Sequence, residues 1–286
     1  MSPRIFLCVL FAAWPCFAKL RVAASTTFVG EVVAAIGGDA IDVDVIYPRD
    51  ADPHAFEPTP RDIAKLGGET IIFENGLGLE TALQGPLKAL QTGGIEIIEV
   101  SRGISARTAG GSEDPHVWSD PIALMTWTTN IETTLVRLDP ADAAGFHECA
   151  AACRKMLVET DSWIRKQVEK IPAARRVLVT DHDALEYFAH RYGFKIVGTV
   201  LPGFSTLAEP SPRELAALEE TIRREKVPAV FVDGPATPVL ARRVAEDTGA
   251  KLITLPGCSL GAAGSETGTL PGYLRTLATR IAEGLK

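Results

Sequence analysis

No run of basic residues interrupts this chain: 29 Lys and Arg stand against 36 Asp and Glu, and the 286 residues carry a net charge of −7. Nucleic acid, DNA included, and anionic membrane both call for a positive patch, so neither is an expected partner. Long apolar runs are equally scarce. The one near the N-terminus, Ile5 to Trp14, falls well short of the roughly 20 residues a spanning helix needs. It follows Arg4 and precedes Cys16-Phe17-Ala18, the arrangement of a secretory signal peptide cleaved after Ala18. Ala13-Trp14-Pro15 ahead of Cys16 does not suit lipoprotein processing, so a soluble periplasmic protein is expected. Cysteine is sparse too. Only Cys149, Cys153 and Cys258 follow the expected cut, an odd set that leaves at least one thiol unpaired in an oxidising compartment. Cys149 and Cys153 lie four apart in a helical segment, an awkward spacing for a disulfide, and their Ala neighbours point to packing. Local catalytic signatures such as H-E-x-x-H are missing as well.

What is present is a balanced globular composition, 46% hydrophobic and 23% charged with mean hydropathy +0.12, long enough for two α/β units. From Leu20 to Ser101, short β-branched runs alternate with amphipathic stretches. Leu20 to Ala24, Ile41 to Ile46, Thr70 to Phe73 and Ile95 to Val100 read as buried strands. One intervening helix is announced by Thr59 as N-cap, Pro60 at the first position and Asp62 in the first turn. The same grammar restarts near Arg175, with strands at Val177 to Thr180, Lys195 to Val200, Ala229 to Val232 and Lys251 to Leu255. Helices are expected from Ala184, Pro212 and Thr237, and near Tyr273 to Leu285. Between the two halves lies a strand-free middle that ends in a helical pattern of some thirty residues after Asp139-Pro140. At 1.5 Å per residue it would be about 45 Å long, a stiff spine as tall as both lobes. The expected fold is therefore α/β: two lobes with parallel sheets, joined by one long rigid helix. The expected boundaries are 1–18 for the signal, 19–136 for the first lobe, 137–172 for the linking helix and 173–286 for the second lobe.

Five histidines are present, and three share a setting: Asp52-Pro53-His54, Asp114-Pro115-His116 and Thr180-Asp181-His182-Asp183. Each imidazole follows a carboxylate and sits in a loop or at a strand-to-helix junction, where open α/β sheets build their ligand crevices. Neutral imidazole suits Zn²⁺, and a neighbouring carboxylate can fix its tautomer. Spacing alone leaves capping or surface histidines as the alternative. His147, beside Glu148, and His190, in Ala189-His190-Arg191, lie on polar helix faces and are not expected to be ligands.

His54-Ala55-Phe56-Glu57-Pro58-Thr59-Pro60-Arg61-Asp62, then Asn75-Gly76-Leu77-Gly78-Leu79-Glu80, Asp114-Pro115-His116-Val117-Trp118-Ser119-Asp120-Pro121 and His182-Asp183-Ala184 with Tyr187-Phe188 and Arg191-Tyr192-Gly193 together resemble the zinc- and manganese-type solute-binding proteins of ABC importers, the cluster A-I metal receptors. The likeness runs from about Leu20 to the C-terminus. It implies a metal held in the cleft between the lobes, with His54, His116 and His182 at three ligand positions. The family's fourth position is usually an Asp; the corresponding stretch here is Pro256-Gly257-Cys258-Ser259-Leu260-Gly261, so Cys258 stands in its place. Two readings of Cys258 stand. A thiolate would complete a His₃Cys shell that favours Zn²⁺ over Mn²⁺. Alternatively Cys258 only packs, and water or a carboxylate such as Asp233, Asp181 or Glu266 is the fourth ligand. The segment between Ser101 and Asp114 is short and lacks the His- and acid-rich loop of many zinc receptors in the family.

The resemblance implies a non-catalytic, monomeric receptor that captures a divalent metal, Zn²⁺ by preference with Mn²⁺ as the alternative, and delivers it to an ABC importer permease. Protons should compete for the ligands as pH falls through about 6.5. A secreted zinc hydrolase with Asp181 or Asp183 as base, and a metal-binding adhesin, are the rival readings.

Overall fold

The computed structural model describes residues 19–109, 111–234 and 239–286; the expected signal peptide and Thr237 lie outside them. In the first half, β1 (Leu20–Ala24), α1 (Thr27–Gly37), β2 (Ile41–Val45), α2 (Pro60–Leu66), β3 (Ile71–Glu74), α3 (Gln84–Thr92) and β4 (Glu96–Glu99) alternate. Their strands form one parallel sheet in the order β2-β1-β3-β4. A small antiparallel hairpin follows, β5 (Thr108–Ala109) with β6 (Ser112–Glu113), which the sequence had not announced. Two helices come next, α4 (Leu124–Leu138) and α5 (Ala143–Val168). The second half runs β7 (Val177–Thr180), α6 (Glu186–Tyr192), β8 (Lys195–Thr199), α7 (Pro212–Glu225), β9 (Ala229–Asp233), α8 (Val239–Thr248), β10 (Lys251–Leu255) and α9 (Leu270–Gly284). Its parallel sheet, β10-β9-β7-β8, repeats the first in mirror listing: each half places its first and third strands at the centre.

Side-chain chemistry follows that order. Central strands are apolar on both faces, as in Ile71-Ile72-Phe73 and Val230-Phe231-Val232, all wholly buried. The edge strand β2, Ile41-Asp42-Val43-Asp44-Val45, alternates in acid residues that keep its open side wet. Thr59 caps α2 through a capping box with Asp62, and Pro60 takes the first helical position as expected.

The long helix is 26 residues, about 39 Å at 1.5 Å each, rather than thirty. Pro140–Asp142 forms a separate 3-10 turn capped by Asp139, so regular helix starts only at Ala143. One face of α5 is buried: Phe146, Ala150, Cys153, Leu157, Asp161, Ile164 and Val168 recur every three or four residues. That face packs on α1 and α4 from the first half and α9 from the second. A single apolar core consequently runs through both halves, with smaller clusters under α2 and α3 on one flank and α7 and α8 on the other. Polar groups cross the same seam. Asp161 accepts from Arg165 Nε at 3.0 Å, Arg191 Nε at 2.8 Å and the Tyr192 hydroxyl at 3.0 Å, and Arg191 also pairs with Asp120 at 3.2 Å. Arg191 on α6 thus ties the spine to the loop that leads into α4.

Candidate metal centre

His116 is placed by the segment Asp114-Pro115. Asp114 Oδ1 accepts from the His116 backbone N–H at 2.9 Å and pairs with its Nδ1 at 2.7 Å, and both residues are wholly buried. The segment is braced from two sides. Asn75 Nδ2 donates to the Pro115 carbonyl at 3.1 Å, and the Tyr187 hydroxyl donates to the Asp114 carbonyl at 3.0 Å. Asn75 is itself set by Glu80, whose carboxylate accepts from the Asn75 and Gly76 N–H groups and the Ser25 hydroxyl. Burial pushes the Glu80 carboxyl up to about 7, against these hydrogen bonds.

His182 lies two residues beyond β7, at the point where the second sheet turns from β7 to its neighbours on either side. Asp181 Oδ1 accepts from the His182 N–H at 2.8 Å and pairs with Nδ1 at 3.0 Å, while its Oδ2 accepts from the Asp233 N–H at 2.8 Å. Asp181 is fully engaged in this way and is not free to serve as a base. Asp183, the other candidate base, is outside the group that converges on the histidines. Helix α6 starts at Glu186 rather than Ala184, because the Asp183 and Ala184 N–H groups are used by the Gly203 and His182 carbonyls in the turn that holds His182.

His54 is held differently. Asp52 Oδ1 caps its backbone N–H at 2.9 Å, but Asp52 Oδ2 accepts from the Thr206 hydroxyl at 2.6 Å instead of supporting the ring. His54 is the half-buried member of the set and faces a cleft of about 610 Å³ bounded by Leu77, Leu79, Pro115 and Phe204.

These residues converge. The ring centroids of His54, His116 and His182 stand 5.1, 5.6 and 5.2 Å apart pairwise. With Cys258 they offer four donor atoms that all lie within 4.8 Å of one another. His54 Nε2 to His116 Nε2 is 3.1 Å, and Cys258 Sγ to His182 Nε2 is 3.8 Å. Tetrahedral Zn²⁺ with bonds of about 2.0 Å to nitrogen and 2.3 Å to sulfur requires N–N and N–S edges of about 3.3 and 3.5 Å, so the observed pairs stand within about 0.3 Å of the need. In His116 and His182 the carboxylate at Nδ1 turns Nε2 outward, as a free lone pair in neutral His116 and in His182 once its second proton is displaced. Of the three carboxylates offered as alternatives to Cys258, Asp181 and Asp233 form a second group with His182. Asp233 Oδ2 accepts from the Cys258 thiol at 3.2 Å. Glu266 is exposed and outside both groups, because the loop after Leu260 carries it to the surface, away from the three histidines.

Burial holds His116 well below the usual imidazole range, with the charge of His182 adding to it, and lowers His54 in the same way. In His182 burial works downward too, but the hydrogen bond and charge of Asp181, with Asp233 and Asp52, overcome it and raise the ring to about 9. Burial, then the charge of Asp233, pushes the Cys258 thiol well up. Asp233 is raised by burial and by Asp181. His147 is exposed and pairs with Glu132, and His190 is exposed on α6; neither approaches the centre.

Comparison with known proteins places this arrangement. A family model described as zinc-uptake complex component A, periplasmic, matches residues 22–284. The manganese-binding lipoprotein MntA of Halalkalibacterium halodurans is 30% identical over 253 residues, 87% of this chain and 83% of that protein. The iron-binding protein YfeA of Yersinia pestis is 30% identical over 240 residues, 82% of this chain and 75% of its own. Among solved structures, the periplasmic zinc-binding protein TroA of Treponema pallidum superposes with a TM-score of 0.87 at 27% identity, covering 94% of this chain and 99% of that one.

Proposed function

Because this chain belongs to the family of periplasmic zinc-uptake component A, a family of substrate-binding receptors, we propose that it captures Zn²⁺, with Mn²⁺ as the weaker alternative, on His54, His116, His182 and Cys258 and passes it to the permease of an ABC importer. The observation that carries the proposal is the meeting of four donor atoms from four separated stretches of chain within one coordination sphere. Similar proteins are named for manganese, iron and zinc, so likeness alone does not choose the metal. The donor set does. Three imidazoles and a thiolate are borderline-to-soft ligands that suit Zn²⁺, whereas Mn²⁺ prefers oxygen-rich shells. Export through a cleaved signal at residues 1–18, and action as a monomer, are part of this reading.

Capture then proceeds by ligand exchange. The metal enters at the half-buried His54 and displaces protons from His182 and Cys258. It closes on Nε2 atoms whose rings Asp114 and Asp181 have already oriented, so little ordering is left to do on binding. Asp233 is placed to take the thiol proton at 3.2 Å. Competition titration of the metal-free protein with Zn²⁺ and Mn²⁺ tests the assignment: Zn²⁺ should win. Tighter binding of Mn²⁺ would replace the thiolate shell with an oxygen-based one built on Asp233.

A further inference from the structure

The loop that carries Cys258 belongs to the second half by sequence, yet it is fastened to the first. Just beyond Cys258, the Leu260 N–H donates to the Thr27 hydroxyl at 2.8 Å, and the Leu260 carbonyl accepts from the Asp50 N–H at 3.1 Å. Arg49 adds the charged contact: its Nη1 donates to the carbonyls of Gly261 at 2.8 Å and Gly268 at 2.9 Å. Those carbonyls flank the neck of a compact loop closed by the Gly261 N–H on Thr267 O at 3.1 Å. The loop has no slack, since a Cβ at Gly268 would stand 2.5 Å from the Ala262 carbonyl oxygen. Arg49 is also only five residues ahead of His54, and the segment between them is held to the second half again through Asp52 and Thr206. The carboxyl of Glu31, raised by burial, is drawn back down by the Leu270 N–H and by Arg49.

We propose that Arg49 is a positioning residue that joins the His54 loop to the Cys258 loop and so sets whether the sulfur stands within reach of the metal. This rests on the four-ligand reading above. Without Arg49 the Gly261 and Gly268 carbonyls lose a shared donor, the neck of the loop is free to rotate, and Cys258 moves while the three imidazoles, held by their own carboxylates, stay.

Co²⁺ is the probe, because a thiolate ligand adds a sulfur-to-cobalt charge-transfer band in the near ultraviolet while imidazole ligands keep the visible d–d bands. Wild type, R49M, R49K, C258S and the R49M/C258S double variant are titrated with Co²⁺ and melted without metal. R49M should lose most of the sulfur band, keep the visible bands and bind about tenfold more weakly, with R49K partly restored; in the C258S background R49M should have no further effect, as a cycle of coupled residues demands. An R49M protein with an undiminished band and unchanged affinity overturns the proposal. So does an equal loss of affinity with or without Cys258, which marks general loosening. If R49M does not fold, the R49K and C258S pair decides by the same criteria. A wild type without the sulfur band sinks the thiolate reading itself, and this proposal with it.

Discussion

Burial acts on the three imidazoles alike, but their neighbours divide them. His54 and His116 are held below the usual range and stay neutral throughout the physiological span, so protons do not compete there. His182, raised to about 9 once the Asp181 hydrogen bond and the surrounding acids overcome its burial, carries a proton in the metal-free protein below that pH. On the proposed shell the metal must displace that proton at any pH under about 9, so affinity rises with pH through that range, and the raised Cys258 thiol carries the rise beyond it. The competition therefore lies higher than the value of about 6.5 that free imidazole suggests. With the thiol of Cys258 also protonated and its proton passed to Asp233, uptake of Zn²⁺ at neutral pH should release at least the His182 proton, and at most two, to the buffer. Calorimetry in buffers of different ionisation enthalpy counts them, and a count of zero would refute this picture of the site. Cys258→Ser should weaken Zn²⁺ binding about tenfold or more, at least the loss expected when a group supporting a ligand is removed. An unchanged dissociation constant would take Cys258 out of the shell.

The three histidines were singled out in the sequence by an acid one or two residues ahead of each and assigned as ligands through the family resemblance; at His116 and His182 that acid does turn to the ring. Asp52 does not, since Thr206 claims its second oxygen, and nothing local encodes a partner 154 residues away. The same distance hid Arg49, whose acceptors lie 212 and 219 residues on. Glu80 stood within the Asn75 to Glu80 motif, but its task of setting Asn75, and through it Pro115, is visible only in three dimensions.

Strands and helices were read closely from their apolar spacing: β1, β7 and β10 fall where the alternation of short runs placed them. Element ends were lost where backbone groups serve the site, as at α6, or where a proline turn stands apart from the helix, as before α5. The hairpin of β5 and β6 is too short to leave a periodic signal. Asp161 was unreadable for another reason. It sits on α5 with no local sign that Arg191 and Tyr192, some thirty residues later, bring their donors to it. Its carboxyl is opposed by burial and carried below the usual range by the hydrogen bonds of Arg191 and Arg165. Asp161→Ala should cost about 2 kcal/mol at neutral pH, because it leaves the buried Tyr192 hydroxyl without its acceptor and Arg191 with Asp120 alone. Urea unfolding measures this, and a loss below about 1 kcal/mol would place the pair among screened surface contacts.

For the whole molecule the continuous core along α5 has a mechanical consequence. Bending the halves apart would expose α5 against α1, α4 and α9 and break the Arg191 pairs to Asp161 and Asp120. Metal capture is therefore expected to rearrange loops at the seam rather than to close a wide hinge. Small-angle scattering of metal-free and Zn²⁺-loaded protein should give the same radius of gyration within error; a clear contraction on loading would contradict a rigid spine.

That four donors from distant parts of the chain share one ion is the claim on which the function depends, and zinc K-edge X-ray absorption of the loaded protein addresses it without a crystal. Three nitrogen scatterers at about 2.0 Å, with the multiple scattering of imidazole, and one sulfur at about 2.3 Å are expected. A shell with fewer than three imidazoles, or one of oxygen alone, would contradict it.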